Sequence, residues 1–227
     1  MSSCLQLYPF GTAQSDARLP PLDDGSSSAI TLIRSFRFYG PASSTAYVNS
    51  NGVVSLDRSF TSFSPRSLPL NGTDKIIAPY WDDVDTRGIG NIYYRQTTDP
   101  SLLARATSEI RVASPMSEPL SNLFIATWDA VGSFPRGTNM TNTFQCILAY
   151  SAVESFVIFL YDDGGIEWGR GLAGINAGNR VSSVTIPGSR TVNILNIDQT
   201  TNIGIPGVWV FQVDRVSMQQ WLKANVL

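Results

Sequence analysis

The sequence predicts a mostly-β chain in which antiparallel sheets pack as a sandwich, with one α-helix laid against them. Short apolar segments recur along the chain, several with period-two alternation. Gly, Pro and Asn turns separate them, the punctuation of sandwich folds. Helical spacing stands out in a single segment. The 227 residues are 43% hydrophobic and 15% charged, a globular composition that fits one domain.

Residues 8–28 carry Pro9, Gly11, Pro20, Pro21 and the run Asp23-Asp24-Gly25-Ser26-Ser27-Ser28, an extended, looped lead-in. Ile30, Leu32, Phe36 and Phe38 then alternate, with one break at Arg34, as one buried face of a strand requires. Tyr47–Asn49 and Val53–Leu56 flank Ser50-Asn51-Gly52; Asn-Gly tolerates positive φ, so this reads as a hairpin. Further strands are expected at Ile76–Trp81, Asn91–Arg95, Leu123–Trp128, Phe144–Ser151, Phe156–Tyr161 and Val208–Val213. Phe156-Val157-Ile158-Phe159-Leu160 is apolar on both faces, so it belongs to a strand covered on both sides.

The helix is expected at about residues 99–111. Asp99 caps it, and Pro100 takes the first helical position, where its missing N–H costs nothing. Leu102, Leu103, Ala106 and Ile110 form its apolar stripe, and Arg105 and Glu109 are spaced to pair. Arg215–Ala224 allows a short second helix. The boundaries read as one domain over 6–214 and a tail over 215–227.

The chain has no His and a formal net charge of −2. Without His, zinc–histidine sites, Ser-His-Asp triads and Cys-His pairs are excluded. Sequence order reveals no basic patch, which argues against a nucleic-acid partner. No segment has the roughly 18 apolar residues of a membrane span. Met1 does not begin a signal peptide, so a fragment, an incomplete product or a free-standing domain is expected.

The chemistry-bearing residues concentrate where the apolar run Ile76–Trp81 passes into Asp82, Asp83 and Asp85. Clustered carboxylates suit a hard cation such as Ca²⁺, which takes about 6–8 oxygens. They equally suit turn-capping, or pairing with Arg87 and Arg95. Paired carboxylates could also run glycoside hydrolysis, but nothing fixes their separation. No catalytic residue and no cofactor is therefore assigned beyond calcium at these three. Gly169–Gly174 matches G-x-G-x-x-G, yet the next residues, Ile175-Asn176-Ala177-Gly178-Asn179, are poor helix material, so no dinucleotide site is expected. Trp81, Trp128 and Trp209 read as core, whereas Trp168, in a turn-rich region, is the exposed candidate for an interaction surface.

Asn71-Gly72-Thr73 and Asn139-Met140-Thr141 are N-glycosylation sequons in loop-like contexts. Cys4 and Cys146 allow one disulfide; its loop of roughly 140 residues would contribute at most about 4–5 kcal/mol. The alternative is that Cys146 is a small buried apolar residue in a strand.

The motifs form a pattern in sequence order. Leu7-Tyr8-Pro9-Phe10-Gly11 opens it, and Asp23–Ser26 and Tyr47–Ser55 come after it. Ile77–Arg87 and Tyr93–Thr98 come next, then Phe124–Trp128, Asn142–Gln145, Pro187-Gly188-Ser189-Arg190 and Pro206-Gly207-Val208-Trp209. This resembles the nidogen-like (NIDO) domain over roughly residues 6–214. The resemblance implies a secreted, non-catalytic module of extracellular matrix, partnered by matrix proteins or glycoproteins in cell–matrix adhesion. A glycan- or calcium-dependent binding module is the alternative, and a carboxylate-based hydrolase a remoter one. The sequons and the disulfide would fit an oxidising secretory route.

Overall fold

A computed structural model describes residues 7–215. Cys4 and all but the first residue of the second helix expected at Arg215–Ala224 lie outside them. Twelve strands form two six-stranded sheets. In chain order they are β1 (Ala17–Arg18), β2 (Ile30–Arg37), β3 (Ala42–Asn49), β4 (Val53–Leu56), β5 (Lys75–Trp81), β6 (Asn91–Thr97), β7 (Asn122–Val131), β8 (Asn142–Tyr150), β9 (Ser155–Ile166), β10 (Leu172–Asn176), β11 (Ser183–Thr185) and β12 (Val208–Gln212). The first sheet has the order β1-β6-β7-β8-β9-β12 and the second β11-β10-β5-β4-β3-β2, with antiparallel neighbours throughout.

Side-chain alternation divides the interior into three layers. Along β9, Val157, Phe159 and Tyr161 point between the sheets, while Phe156, Ile158 and Leu160 point to the outer face. That outer face is covered by α1 (Pro100–Ala113) through Ala106 and Ile110. The continuous apolar run in β9 is thus explained by burial on both faces, as the sequence implied. The outer face of the second sheet is covered by Phe60 and Leu70 from the β4–β5 connection, which pack on Ile76, Ala78, Trp81 and Leu172.

Local sequence accounts for the elements. Asp99 accepts hydrogen bonds from the backbone N–H of Ser101 and Leu102, so the predicted cap forms. Arg105 pairs with Glu109 at 2.9 Å and lies 3.9 Å from the ring centre of Tyr8, whose hydroxyl donates to Glu109. The break at Arg34 is a register irregularity in β2, between the pairs Thr31–Thr45 and Phe36–Ser43. Five elements were not foreseen: a 3-10 turn at Thr12–Gln14, the short β1, the β10 and β11 strands of one hairpin, and a 3-10 segment at Val192–Gln199. Their apolar residues are few and interrupted by Gly, Asn and Ser, so periodicity is weak there.

Two outer edges are each capped at one position by a side chain. Asn202 accepts from the Val210 N–H and donates to its carbonyl, on β12. Gln96 does the same at β2, accepting from Ile33 N–H and donating to the Thr31 carbonyl.

The hairpin turn Ser50-Asn51-Gly52 is fully buried at the meeting of the two sheets. The Trp128 indole N–H donates to the Asn49 and Ser50 carbonyls at 3.2 and 3.0 Å, and the ring stacks on Phe144. Gly52 has φ 74°, and a Cβ there would fall 1.8 Å from the Tyr80 carbonyl oxygen. Gly52→Ala therefore combines backbone strain with a clash against a central strand. It is expected to cost at least about 2–4 kcal/mol, read as a lowered midpoint in urea unfolding.

Candidate functional site

The acidic loop after β5 sits at one end of the sandwich. The apolar strand anchors it: from Ile76 to Trp81 every residue is buried, so the chain leaves the core at Asp82. Two other segments meet it there. Asp23 bridges to Asp85, and Val84 bridges to Ser133 in the β7–β8 connection. The Phe134 N–H also donates to the Asp83 carbonyl.

The three carboxylates have separate environments. Asp85 is fully buried and accepts four hydrogen bonds. Oδ1 takes the Arg87 N–H and Nε, and Oδ2 takes Arg87 Nη2 and the Arg136 N–H, at 2.8 to 3.0 Å. The Arg87 hydrogen bonds hold its carboxyl down at about 2. Asp82 accepts from the Asp83 N–H through Oδ1 and from the Arg170 N–H through Oδ2. Burial nevertheless pushes its pKa up.

Asp83 faces elsewhere. It gathers with Asp23 and Asp24, one carboxylate oxygen of each lying within 4.8 Å of the others. Desolvation, reinforced by Asp24 and Asp23, raises its carboxyl to about 6. Asp23 Oδ2 accepts from Arg87 at 2.6 Å, while its Oδ1 is buried with no hydrogen-bond partner. Asp24 accepts from Asn51 Nδ2 at 2.7 Å. The structure therefore brings together Asp23, Asp24 and Asp83, not Asp82, Asp83 and Asp85. The pairing of Asp83 with the lead-in segment is long-range in sequence, and the Asp23-Asp24-Gly25 run was its only trace. Three carboxylates and a buried, unpaired oxygen have the hard-donor chemistry of a Ca²⁺ site.

The other sequence-marked residues are spread over the fold. Arg87 pairs with Asp85 and Asp23, but Arg95 pairs with Asp16 at 2.7 Å, away from the acidic loop. Trp168 is 6% exposed, not a surface residue. Its indole N–H donates to the Val131 carbonyl at 2.9 Å, because Asn142 holds the chain after β9 against the core through the Glu167 and Trp168 N–H groups. The G-x-G-x-x-G segment is a turn leading into β10, with no helix to receive a phosphate. Asn71 and Asn139 are both exposed, the first just before β5, the second in the β7–β8 connection. Cys146 is fully buried between the sheets, and burial pushes its thiol well above the ordinary value; Cys4, its suggested partner, is outside the described residues.

A sequence profile of the nidogen-like domain matches residues 44–215. The chain is 41% identical to mouse (Mus musculus) alpha-tectorin over 92% of its own length and 10% of that protein. It is 31% identical to Drosophila melanogaster nidogen over 96% of its length and 17% of that protein, and 28% identical to mouse nidogen-1 over 92% and 19%. It thus spans between a tenth and a fifth of the length of these relatives. No solved structure matches it.

The two displaced carboxyls act on stability with opposite sign. Asp85 is depressed, so its contribution is complete above the ordinary 3.8 and is lost as pH falls through about 2. Asp85→Asn should flatten the acid loss between about pH 4 and 2, and should lower neutral-pH stability by about 1–3 kcal/mol. Asp83 is raised, so stability is complete below 3.8 and is lost as pH climbs through about 6. Asp83→Asn should remove the decline between about pH 4 and 6. Urea unfolding of both variants against pH reads each effect separately.

Proposed function

The chain belongs to the nidogen-like domain family, and on that premise we propose that it is a non-catalytic module of an extracellular matrix, acting in protein–protein assembly and cell–matrix adhesion. The single observation that carries this reading is the alpha-tectorin likeness, 41% identity over 92% of this chain. Nidogens match over nearly the same span. The alternative of carboxylate hydrolysis has little support, since Asp85 and Asp82 are taken up by N–H donors that fix the loop.

The fold bears on how assembly would proceed. With Val210 on β12 and the Thr31 and Ile33 backbone on β2 engaged by Asn202 and Gln96, strand addition at those edges would have to displace these side chains. Partners would instead meet the loop-bearing ends and faces. The exposed sequons at Asn71 and Asn139 support a secretory route, because an oligosaccharide at either site meets no buried surface.

Secretion of the chain from mammalian cells behind a supplied signal sequence tests the reading. Glycosidase treatment should shift its mass by two glycans, and Asn71→Gln and Asn139→Gln should each remove one. The immobilised domain should capture defined matrix proteins from a matrix extract. Failure to retain any matrix component would count against the assembly role.

One observation favours a second reading, calcium-dependent binding: the gathering of Asp23, Asp24 and Asp83 with the unpaired Asp23 Oδ1. A cation there would offset the mutual repulsion that raises Asp83. At calcium about 100-fold above its dissociation constant, linkage gives about 2.7 kcal/mol, a rise of several degrees in the thermal midpoint. Asp83→Asn should abolish the rise. Identical midpoints in calcium and in EDTA at neutral pH would remove this reading.

A further inference from the structure

We propose that Arg66, Arg170 and Arg190 form a docking surface for a sulfated glycosaminoglycan. The inference rests on the extracellular reading for its partner class, and on the fold for its geometry.

The three arginines are far apart in sequence and are joined by the fold. The Arg190 N–H donates to the Gly171 carbonyl at 2.8 Å, which sets the Pro187–Arg190 turn beside the Gly169-Arg170-Gly171 turn. The Arg190 guanidinium donates to Ser67 Oγ, which brings in the loop that carries Arg66. All three arginines are exposed, and among the described residues none of them makes an ion pair.

The turns that carry Arg170 and Arg190 are held in place by close contacts and hydrogen bonds. Gly169 has φ 95°, and a Cβ there would lie 2.2 Å from Asp82 Oδ2; one on Gly171 would lie 2.6 Å from the Tyr80 ring. The two glycines press the backbone onto those groups, and the Arg170 N–H donates to Asp82 Oδ2. Ser189 fixes the second turn: its Oγ accepts from the Ala173 N–H and donates to the Ile186 carbonyl. Arginines on fixed backbone lose less freedom on binding than arginines on mobile loops.

Acids flank these segments rather than interleave with the arginines: Glu167, exposed three residues before Arg170, accepts from the Thr141 N–H and hydroxyl. From Arg58 to Thr73, and from Trp168 to Ile197, the sequence has no Asp or Glu. The nearest carboxylate on the same backbone network, Asp82, is already engaged by two N–H donors. In a chain of net charge −2, three exposed arginines without an ion pair thus fall on adjoining segments. Guanidinium matches the oxygens of sulfate with paired hydrogen bonds. The turns Gly169–Gly171 and Pro187–Arg190 themselves present no large apolar side chain; the exposed Phe63 and Val192 flank the surface singly rather than as a packed patch. A flexible, densely sulfated polysaccharide needs no apolar anchor.

The test is binding of the full chain to immobilised heparin across a salt series, with desulfated heparin and polyglutamate as probes. The triple variant Arg66→Gln, Arg170→Gln, Arg190→Asn is compared with Arg18→Gln, Arg111→Gln, which removes exposed arginines elsewhere. Asn is chosen at 190 because that residue has φ 63°. The triple variant should weaken heparin binding about tenfold or more, and should flatten the dependence of log affinity on log salt by about two, by loss of counterion release. The control should bind as wild type. Should the triple variant fail to fold, Arg170→Gln alone, with its backbone contact intact, should still weaken binding about threefold. Absence of heparin binding by the wild type, unchanged binding by a folded triple variant, or equal binding to desulfated heparin or polyglutamate overturns the proposal. Loss of the glycan surface with matrix-protein capture retained would leave the assembly reading standing, and the reverse result would remove that reading alone.

Discussion

A buried polar turn is the constraint on which the rest of this structure depends. Ser50-Asn51-Gly52 closes the β3–β4 hairpin inside the molecule, where every unpaired backbone group would cost about 1–3 kcal/mol. Its partners therefore come from both sheets and from three loops. Trp128 of the first sheet donates to the Asn49 and Ser50 carbonyls. Gly25 exchanges hydrogen bonds with Ser50. Asn51 accepts from the Val84 N–H and donates to Asp24 and to the Thr61 carbonyl. Asn49 accepts from the Phe60 N–H. One satisfied turn thus fixes the sheet-to-sheet contact, the acidic loop and the connection that covers the second sheet.

The same turn organises the charge at that end of the molecule. Asn51 orients Asp24 toward Asp83, while Arg87 spans Asp85 and Asp23. Asp85 becomes a structural anion whose lone pairs are filled, and Asp83 becomes a strained one that repels its neighbours. Adjacent carboxylates in one loop acquire different roles because the partners that solvate them differ. Asp82 links this end to the arginine-bearing turn through a single backbone hydrogen bond. Acidic and basic surfaces therefore share one scaffold, with the anion that joins them already engaged.

The strands and the helix were legible because their signals are local. Period-two alternation marked β2, the Asn51-Gly52 turn marked the β3–β4 hairpin, apolar runs marked β5 and β9, and Asp99-Pro100 with its four-residue stripe marked α1. The β10–β11 hairpin was not legible, because its glycines and asparagines suppress alternation and its strands are short. Trp168 was misplaced for a related reason. A turn-rich sequence suggests a surface, but Asn142 draws that backbone into the core, and the indole finds a carbonyl there. The candidate site was half legible: Asp83 was marked, whereas Asp23 and Asp24 read as a loop.

The sequence by itself determined the class of fold, the order of the main strands and the capped helix, which rest on spacing within a few residues, and the family, which rests on separated motifs kept in order along the chain. It also excluded histidine-dependent chemistry. Only the tertiary structure decided that a sequence-evident hairpin turn is buried, that Asp83 joins Asp23 and Asp24, and that the Arg170 and Arg190 turns meet, with Arg190 reaching the loop that carries Arg66. The physical reason is range. Hydrophobic periodicity and caps act through neighbours along the chain, whereas electrostatics and hydrogen-bond satisfaction act through space, between groups that only the packed sandwich brings within a few ångströms.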